Sequence, residues 1–355
     1  MSRILTYVQA IREALDQSME KDKSVFVMGL GAVYKNGCDG TTAGLVNKYP
    51  GRVFDTPCSE NATTGFCVGT AIAGMRPVIY HGRVEFALFA MDQIVTQAGK
   101  WNYMFGGKSP VPVVIRIAVG RRWGDGPQHT QVLHSMFAHV PGLKVVIPST
   151  PHMAKGLLTA AIQDNNPVIF MEHRWLYNIK QTVPKGFYYT ALDSCRVVRP
   201  GEDITIVANS DTLYEALRAA QTLIMHGIDP EIIDLVSINP VDHETIHESV
   251  RKTKRLMVLD VGTKAFGVGS EIVARVCEDE QTYYELRALP VNIAAPDCPC
   301  PMAPSLTKNY YPTATTILNR IQKMSGFLDI KIEQSERPDF YKIHMPSDDN
   351  MDELL

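Results

Sequence analysis

The feature that most constrains this chain is a series of short, unbroken apolar runs. In the first half they are Val25–Gly29, Val53–Pro57, Pro77–His81, Val111–Ala118, Lys144–Pro148 and Pro167–Glu172. A strand with one face in water alternates apolar and polar residues, whereas a strand buried on both faces reads as continuous Val and Ile. These runs therefore predict buried strands. Between them lie stretches with helical spacing at Ile4–Lys21, Ala62–Ala73, Phe86–Tyr103 and Pro151–Gln163. The first carries apolar residues at Ile4, Val8, Ile11 and Leu15, one face of a helix. Asp164-Asn-Asn-Pro167 stops the last. The alternation predicts an α/β fold, a mostly parallel sheet with helices on both faces.

A break follows at Gln181–Gly201, where Pro184, Gly186, Pro200 and Gly201 interrupt any long period. Alternation then resumes. Strands are expected at Ile204–Ala208, Glu231–Leu235 and Arg255–Val261, and helices near Thr212–His226, Asp242–Lys252, Gly267–Cys277 and Pro312–Lys323. The chain has 355 residues, and two domains are the natural division of such a length. The expected units are residues 1–185, a linker at 186–200, a smaller α/β unit at 201–325 and a tail at 326–355. The tail holds eight acids against three bases, a composition that predicts an extended or disordered segment.

Composition excludes several classes. Hydrophobic residues are 45% and charged residues 21% of the chain, enough apolar material for packed cores. The net charge of −3 gives no global pull toward nucleic acid or an anionic membrane. No apolar run is long enough to span a bilayer, and Met1-Ser-Arg-Ile-Leu-Thr-Tyr7 holds no secretory stretch. Seven cysteines form no disulfide framework, so reduced thiols and a cytoplasmic location are expected.

Several short motifs carry less than their patterns promise. His243-Glu-Thr-Ile-His247 fits a zinc-protease pattern, but Pro240 and Asp242 place it at a helix start, where a solvated face is the simpler reading. Gly29-Leu-Gly31 follows a strand, yet Tyr34 stands where a dinucleotide fingerprint needs its third glycine. Gly124-Asp-Gly126 begins like the magnesium–diphosphate motif of thiamin enzymes, but the first following asparagine, Asn165, lies too far along. Cys298-Pro-Cys300 lacks further cysteines for a metal site and reads as structural. Asn61-Ala-Thr63 is a sequon that is silent without a signal peptide.

The informative constellation is longer. Asp55-Thr-Pro-Cys-Ser-Glu60, then Gly65, Gly69, Ala71, Gly74 and Arg76-Pro77, resembles the beta subunit of the thiamin-diphosphate-dependent first component of 2-oxoacid dehydrogenase complexes, a pyruvate dehydrogenase beta-like branch of the transketolase superfamily. Asp92-Gln-Ile94, Gly106-Gly107, Gly126-Pro-Gln-His129, Pro141–Pro148, Ala154–Leu158, Asp164–Ile169, Asp203–Ala208, Pro240-Val-Asp242 and Gly267-Val-Gly269 extend the resemblance over residues 3–325.

The resemblance implies a pyrimidine-binding parallel-sheet domain followed by a smaller transketolase C-terminal-type domain. It also implies a chemistry. Thiamin becomes a nucleophile when a carboxyl group protonates its aminopyrimidine ring and favours the imino tautomer. Glu60 matches the family position for that carboxyl, at the end of a strand and the start of a Gly- and Ala-rich helix. On its own, an acid in a first helical turn is equally a dipole-stabilising residue. Phe86 matches a position that packs on the aminopyrimidine, and Leu30 and Gly82 fall at cofactor-binding positions around it. His129 matches a histidine that transfers protons at the reacting carbon. Carbonyls of Ala161, Asp164 and Asn166 match a structural potassium site, for which a plain helix C-cap is the rival reading. The magnesium–diphosphate motif is missing and belongs, in the family, to an alpha subunit. The implied assembly is an α2β2 heterotetramer with the cofactor between subunits and magnesium held mainly by the partner.

Departures from the family qualify this. Leu30 and Gly31 stand where an acid of a polar path between sites is usual. Tyr80-His81-Gly82-Arg83 replaces an acid followed by larger apolar residues. Arg121-Arg122-Trp123 precedes the histidine block, so Arg83, Arg121 and Arg122 are candidates for an anionic or planar substrate. The alternative for the two later arginines is an exposed basic loop or a contact with the alpha subunit. The leading expectation is decarboxylation of a 2-oxoacid, formation of an acyl anion (an enamine), and transfer of the acyl group to a lipoyl group on an acyltransferase core. The alternative is transfer to an aldehyde or sugar carbonyl. A third reading, a non-catalytic scaffold, rests on Leu30.

Overall fold

The computed structural model of the chain describes residues 2–121, 125–307, 309–328 and 351–354. The strands, in chain order, are β1 (Ser2–Thr6), β2 (Val25–Gly29), β3 (Val53–Phe54), β4 (Arg76–His81), β5 (Val114–Val119), β6 (Lys144–Val146), β7 (Val168–His173) and β8 (Lys180–Pro184). In the second half they are β9 (Arg196–Arg199), β10 (Ile204–Ala208), β11 (Pro230–Asp234), β12 (Ser237–Asn239), β13 (Leu256–Thr263) and β14 (Val291–Ala295). The largest sheet has the order β12-β6-β7-β5-β4-β2-β3, a second β14-β13-β10-β11-β9, and β1 and β8 form a two-stranded third. The pairs from β6 to β3 in the first sheet are all parallel. The mixed α/β architecture with a large and a smaller sheet is therefore as the sequence predicts.

The continuous apolar runs work as the physics requires. Val25 and Val27 of β2 enter one core, while Phe26 and Met28 enter the other. Successive side chains of a strand point to opposite faces, so a strand sandwiched between helix layers needs an apolar residue at every position. Helices Tyr7–Lys21 and Pro151–Gln163 cover the first core. Helix Glu60–Ile72 and the segment around Ile94 cover the second.

Three elements differ from the sequence prediction. The first helix begins at Tyr7, because Thr6 caps it: the Thr6 hydroxyl accepts from Gln9 N–H at 3.2 Å, and Gln9 Oε1 accepts from Thr6 N–H at 2.9 Å. Ile4 is an exposed residue of β1, which pairs antiparallel with β8. The stretch expected as one helix from Phe86 is four short segments, with a π-helical turn at Asp92–Ala98. Part of the expected linker is β9, an antiparallel edge strand on β11.

The end of the acidic tail is also placed differently from the extended or disordered segment expected of it. Met351–Glu353 form a 3-10 turn, Met351 is buried, and the Asp352 carboxylate accepts from Thr182 N–H of β8 at 2.7 Å. The two halves of the chain interlock, since β12 pairs antiparallel with β6 and completes the first sheet.

His243–Thr253 is a helix whose N-cap is Asp242, with Asp242 Oδ1 accepting from Thr245 N–H. His243 and His247 thus sit in its first two turns, and Glu244 pairs with Arg251 of the same helix.

Candidate active site

Parallel strands end their carboxyl edges together, and ligands bind α/β sheets in the crevice outside those ends. Here the ends of β2, β4 and β7 deliver Leu30, His81-Gly82 and Arg174 to one open cavity of about 550 Å³. Glu60 enters from the side. After β3 the chain runs extended to Ser59, and Glu60 is the first residue of helix Glu60–Ile72. Asp55 ties this segment to the β2 exit, accepting from Gly31 N–H at 2.6 Å and Thr56 N–H at 3.0 Å. Gly65 allows the helix its close approach, since a Cβ there would meet Gln93 Oε1 at 3.0 Å, whereas Gly69 has open space.

The cavity gathers four of the residues singled out in the sequence: Glu60, Leu30, Gly82 and Phe86. Leu30 is 54% exposed and offers the cavity an apolar wall. Gly82 is not demanded by crowding, because the nearest atom to a Cβ there is Tyr80 Cε1 at 4.0 Å. Its lack of a side chain leaves that wall open.

His129 lies beside Phe86, with ring centroids 5.7 Å apart. Its Nδ1 is buried and has no hydrogen-bond partner. A buried polar atom without a partner costs stability, and His129 itself is not among the residues that line the cavity.

The sequence reading missed a polar wall of the same cavity. Asp39 has a positive φ of 55° after Cys38, and its carboxylate accepts from Arg174 Nη2 at 2.8 Å and from Tyr80 Oη at 2.8 Å. Behind it Arg116 and Glu172 form a fully buried bidentate pair, at 2.5 and 2.9 Å, and Tyr177 Oη donates to Glu172 at 3.3 Å. Burial raises the Tyr80 and Tyr177 phenols well above their ordinary range, so both stay protonated. His81, also on the cavity, is pushed down by burial to about 4 and is neutral at pH 7, with Nε2 3.0 Å from Thr64 Oγ1. The available signal was positional: Arg174 and His81 stand at the carboxyl ends of parallel strands.

Two proposed substrate arginines are placed differently from the sequence expectation. Arg83 is buried; its guanidinium pairs with Asp125 and donates to the carbonyl of His129. Arg121 is also buried, 2.8 Å from Asp211 and stacked over Trp175 and Tyr311. Neither lines the cavity. Arg121 is no exposed loop residue either, because it joins the first half of the chain to the second. Arg122 lies outside the described residues.

Ala161, Asp164 and Asn166 do not line this cavity. Ala161 lies in the last turn of helix Pro151–Gln163, Asp164 is its C-cap, and Asn166 follows. Ala161 O accepts from Asp164 N–H at 3.3 Å, and Arg76 Nη1 donates to the carbonyls of Ile162 and Asp164 at 2.9 and 2.8 Å. Lys144 pairs with the Asp164 carboxylate. The cysteine pair is structural in form: Cys300 is buried with Sγ 3.0 Å from Tyr311 Oη, Cys298 is exposed, and all seven cysteines are free thiols.

Comparison with known proteins shows the family of the chain. The family described as "Transketolase, pyrimidine binding domain" matches residues 4–180, and "Transketolase, C-terminal domain" matches residues 193–317. The chain is 41% identical over 333 residues to the beta subunit of an acetoin:2,6-dichlorophenolindophenol oxidoreductase of Cupriavidus necator, covering 91% of this chain and 98% of that one. It is 41% identical over 307 residues to a pyruvate dehydrogenase E1 component subunit beta of Porphyra purpurea, covering 86% and 92%. Among solved structures, a split-gene transketolase in an inactive β4 tetramer superposes with a TM-score of 0.74 at 21% identity, over 90% of this chain and 97% of that one, a likeness of fold.

Proposed function

The chain belongs to the transketolase-type family of pyruvate dehydrogenase E1 beta subunits, and on that premise we propose that it is the beta half of a thiamin-diphosphate-dependent enzyme that decarboxylates a 2-oxoacid and passes on the acyl group. The observation that carries this reading is the cavity that joins Glu60, Phe86, Leu30 and Gly82 at the carboxyl edge of the sheet, with the unpartnered Nδ1 of His129 beside Phe86. Its volume is that of a small-molecule site.

These residues fit the aminopyrimidine half of the cofactor. Bound thiamin diphosphate supplies the carbon nucleophile that attacks the 2-oxoacid. Glu60 holds a proton for a ring nitrogen of the pyrimidine. Phe86 offers a ring face for stacking, and Leu30 keeps one wall of the site apolar. His129 holds or moves a proton at Nδ1. The scaffold reading rests on Leu30 alone and has no counterpart in this set of groups.

We assign the magnesium and the diphosphate end mainly to an alpha subunit, in an α2β2 heterotetramer in the cytoplasm. Seven free thiols suit that compartment. We further assign a potassium ion to carbonyls of the Ala161–Asn166 turn, an all-oxygen donor set in which each carbonyl keeps a second lone pair. Of the expected unit boundaries we keep 1–185; the second unit we favour begins no later than Arg196, because β9 pairs with β11, and runs to 325.

The acyl acceptor we favour is a lipoyl group on an acyltransferase core. Transfer to an aldehyde or sugar carbonyl draws on Gly82, Arg83, Arg121 and Arg122. Arg83 and Arg121 are spent on internal contacts and Arg122 lies outside the described residues, which leaves the open wall at Gly82 as its support. The test is destination of label. The chain is co-purified with its alpha subunit, its mass is measured by light scattering, and it is given thiamin diphosphate, magnesium, labelled pyruvate, a lipoyl domain and an aldehyde together. Label on the lipoyl domain is expected from a particle of α2β2 mass. Label on the aldehyde alone would overturn the acceptor assignment.

A further inference from the structure

The loop that carries His129 leaves the end of β5 and returns to Gln131. Gly120 closes its base: Gly120 N–H donates to Gln131 C=O at 3.1 Å, and Gly120 has a φ of +76°. A Cβ there would lie 2.0 Å from His173 Nε2. The base is therefore fixed by backbone.

Further restraints on the loop come from the segment after β4. Arg83 Nη1 donates to the His129 carbonyl and Nη2 pairs with Asp125, so one guanidinium spans two points of the loop. Two residues on, Glu85 Oε1 accepts from Gln131 N–H at 3.2 Å and from Gln131 Nε2 at 3.3 Å. Arg83 is also the N-cap of the turn Val84–Ala87 that bears Phe86, and its carbonyl accepts from Phe86 N–H at 3.2 Å. The same residue therefore sets the position of Phe86 and, across the cavity rim, of His129.

The imidazole itself receives little other guidance. Its Nδ1 has no partner, and its ring packs on Phe86. Histidines in active sites are commonly oriented by a hydrogen bond to one ring nitrogen. Here orientation comes through the backbone carbonyl, which the Arg83 guanidinium holds, and through the ring face of Phe86.

We propose that Arg83, assisted by Glu85, is a positioning clamp that holds the His129 loop against the Phe86 turn, and that it takes no direct part in binding substrate. The clamp rests on the reading of His129 as the proton-handling residue. A guanidinium suits the task because its planar fork reaches two acceptors at once, which an ammonium on a flexible stem does not reproduce.

The test compares wild type, H129A, R83A, R83K, E85Q and the double variant R83A/H129A in the complex assembled with the alpha subunit. In R83A, kcat is expected to fall about 10²-fold, the loss that follows from misplacing a reacting group by about an ångström. KM for the 2-oxoacid and the preference among several 2-oxoacids stay within about twofold of wild type. R83K recovers part of kcat, and R83A adds almost nothing in the H129A background, the non-additivity of residues that act as a unit.

A second readout needs no cofactor. Subtilisin cleavage of the full chain between residues 121 and 131 should be several-fold faster in R83A and E85Q, while far-UV circular dichroism is unchanged. Additive losses in the double variant, a changed substrate preference in R83A, or unchanged cleavage would each overturn the clamp. Loss of activity in H129A with full activity in R83A would overturn the clamp and spare His129. Full activity in H129A would remove both.

Discussion

Asp234 shows how a single residue can make this fold sensitive to pH. It ends β11, is fully buried, and its Oδ1 accepts from Ser149 Oγ at 2.6 Å, while Oδ2 has no partner. Burial pushes its carboxyl up to about 7, against the opposing effects of the Ser149 hydrogen bond and the Arg196 charge. A raised carboxyl contributes stability when protonated and loses it as pH rises through the folded value. With an ordinary value of about 3.9 and about 1.4 kcal/mol for each tenfold change in proton affinity, the cost of ionisation is on the order of 4 kcal/mol. The melting temperature of the wild type should therefore fall as pH rises from about 4 to about 7 and level off above that, and that of D234N should fall less. Parallel curves for the two proteins would refute the role of Asp234.

Residue-level legibility was uneven for a related reason. Glu60, Phe86 and His129 were legible through ordered family blocks. The partners of Arg83 and Arg121 were not, because Asp125 and Asp211 are distant in sequence and only the tertiary fold brings them near.

At the scale of elements, local chemistry was readable wherever it was local. The Thr6-x-x-Gln9 capping box was present in the sequence and marks the true helix start. Its apolar spacing nevertheless extended the prediction back to Ile4, over a strand that exists only because β8 returns to pair with it. The π-helical turn at Asp92–Ala98 has no local sequence signature. Nor does the docking of Met351–Glu353 on β8, which depends on burial of one methionine in a distant core.

The turn at Ala161–Asn166 carries a prediction of its own. If its carbonyls take potassium, the assembled protein should melt higher in potassium chloride than in choline chloride at equal ionic strength. A site at about 100 times its Kd adds ~2.7 kcal/mol. Equal melting temperatures would mean that Arg76 and Lys144 hold the turn without an ion.

At the scale of the molecule, the alternation of buried strands and helices fixed the fold class, and the sheet's carboxyl edge fixed where the site must lie. Strand order and the interlocking of the halves through β12 and Arg121–Asp211 were not readable, since both are long-range pairings. The cavity is open, and under the proposed function the residues that line it hold one half of the cofactor. The account therefore makes this chain the partner that supplies proton chemistry within an assembled enzyme.

The most direct test is E60Q in the complex with the alpha subunit, assayed for decarboxylation of the 2-oxoacid at saturating thiamin diphosphate and magnesium. The amide keeps the shape of the side chain and cannot hold and release the proton, so a loss of about 10²–10⁴ in kcat is predicted, with the assembly and its melting temperature intact. Activity within about twofold of wild type would contradict the central claim.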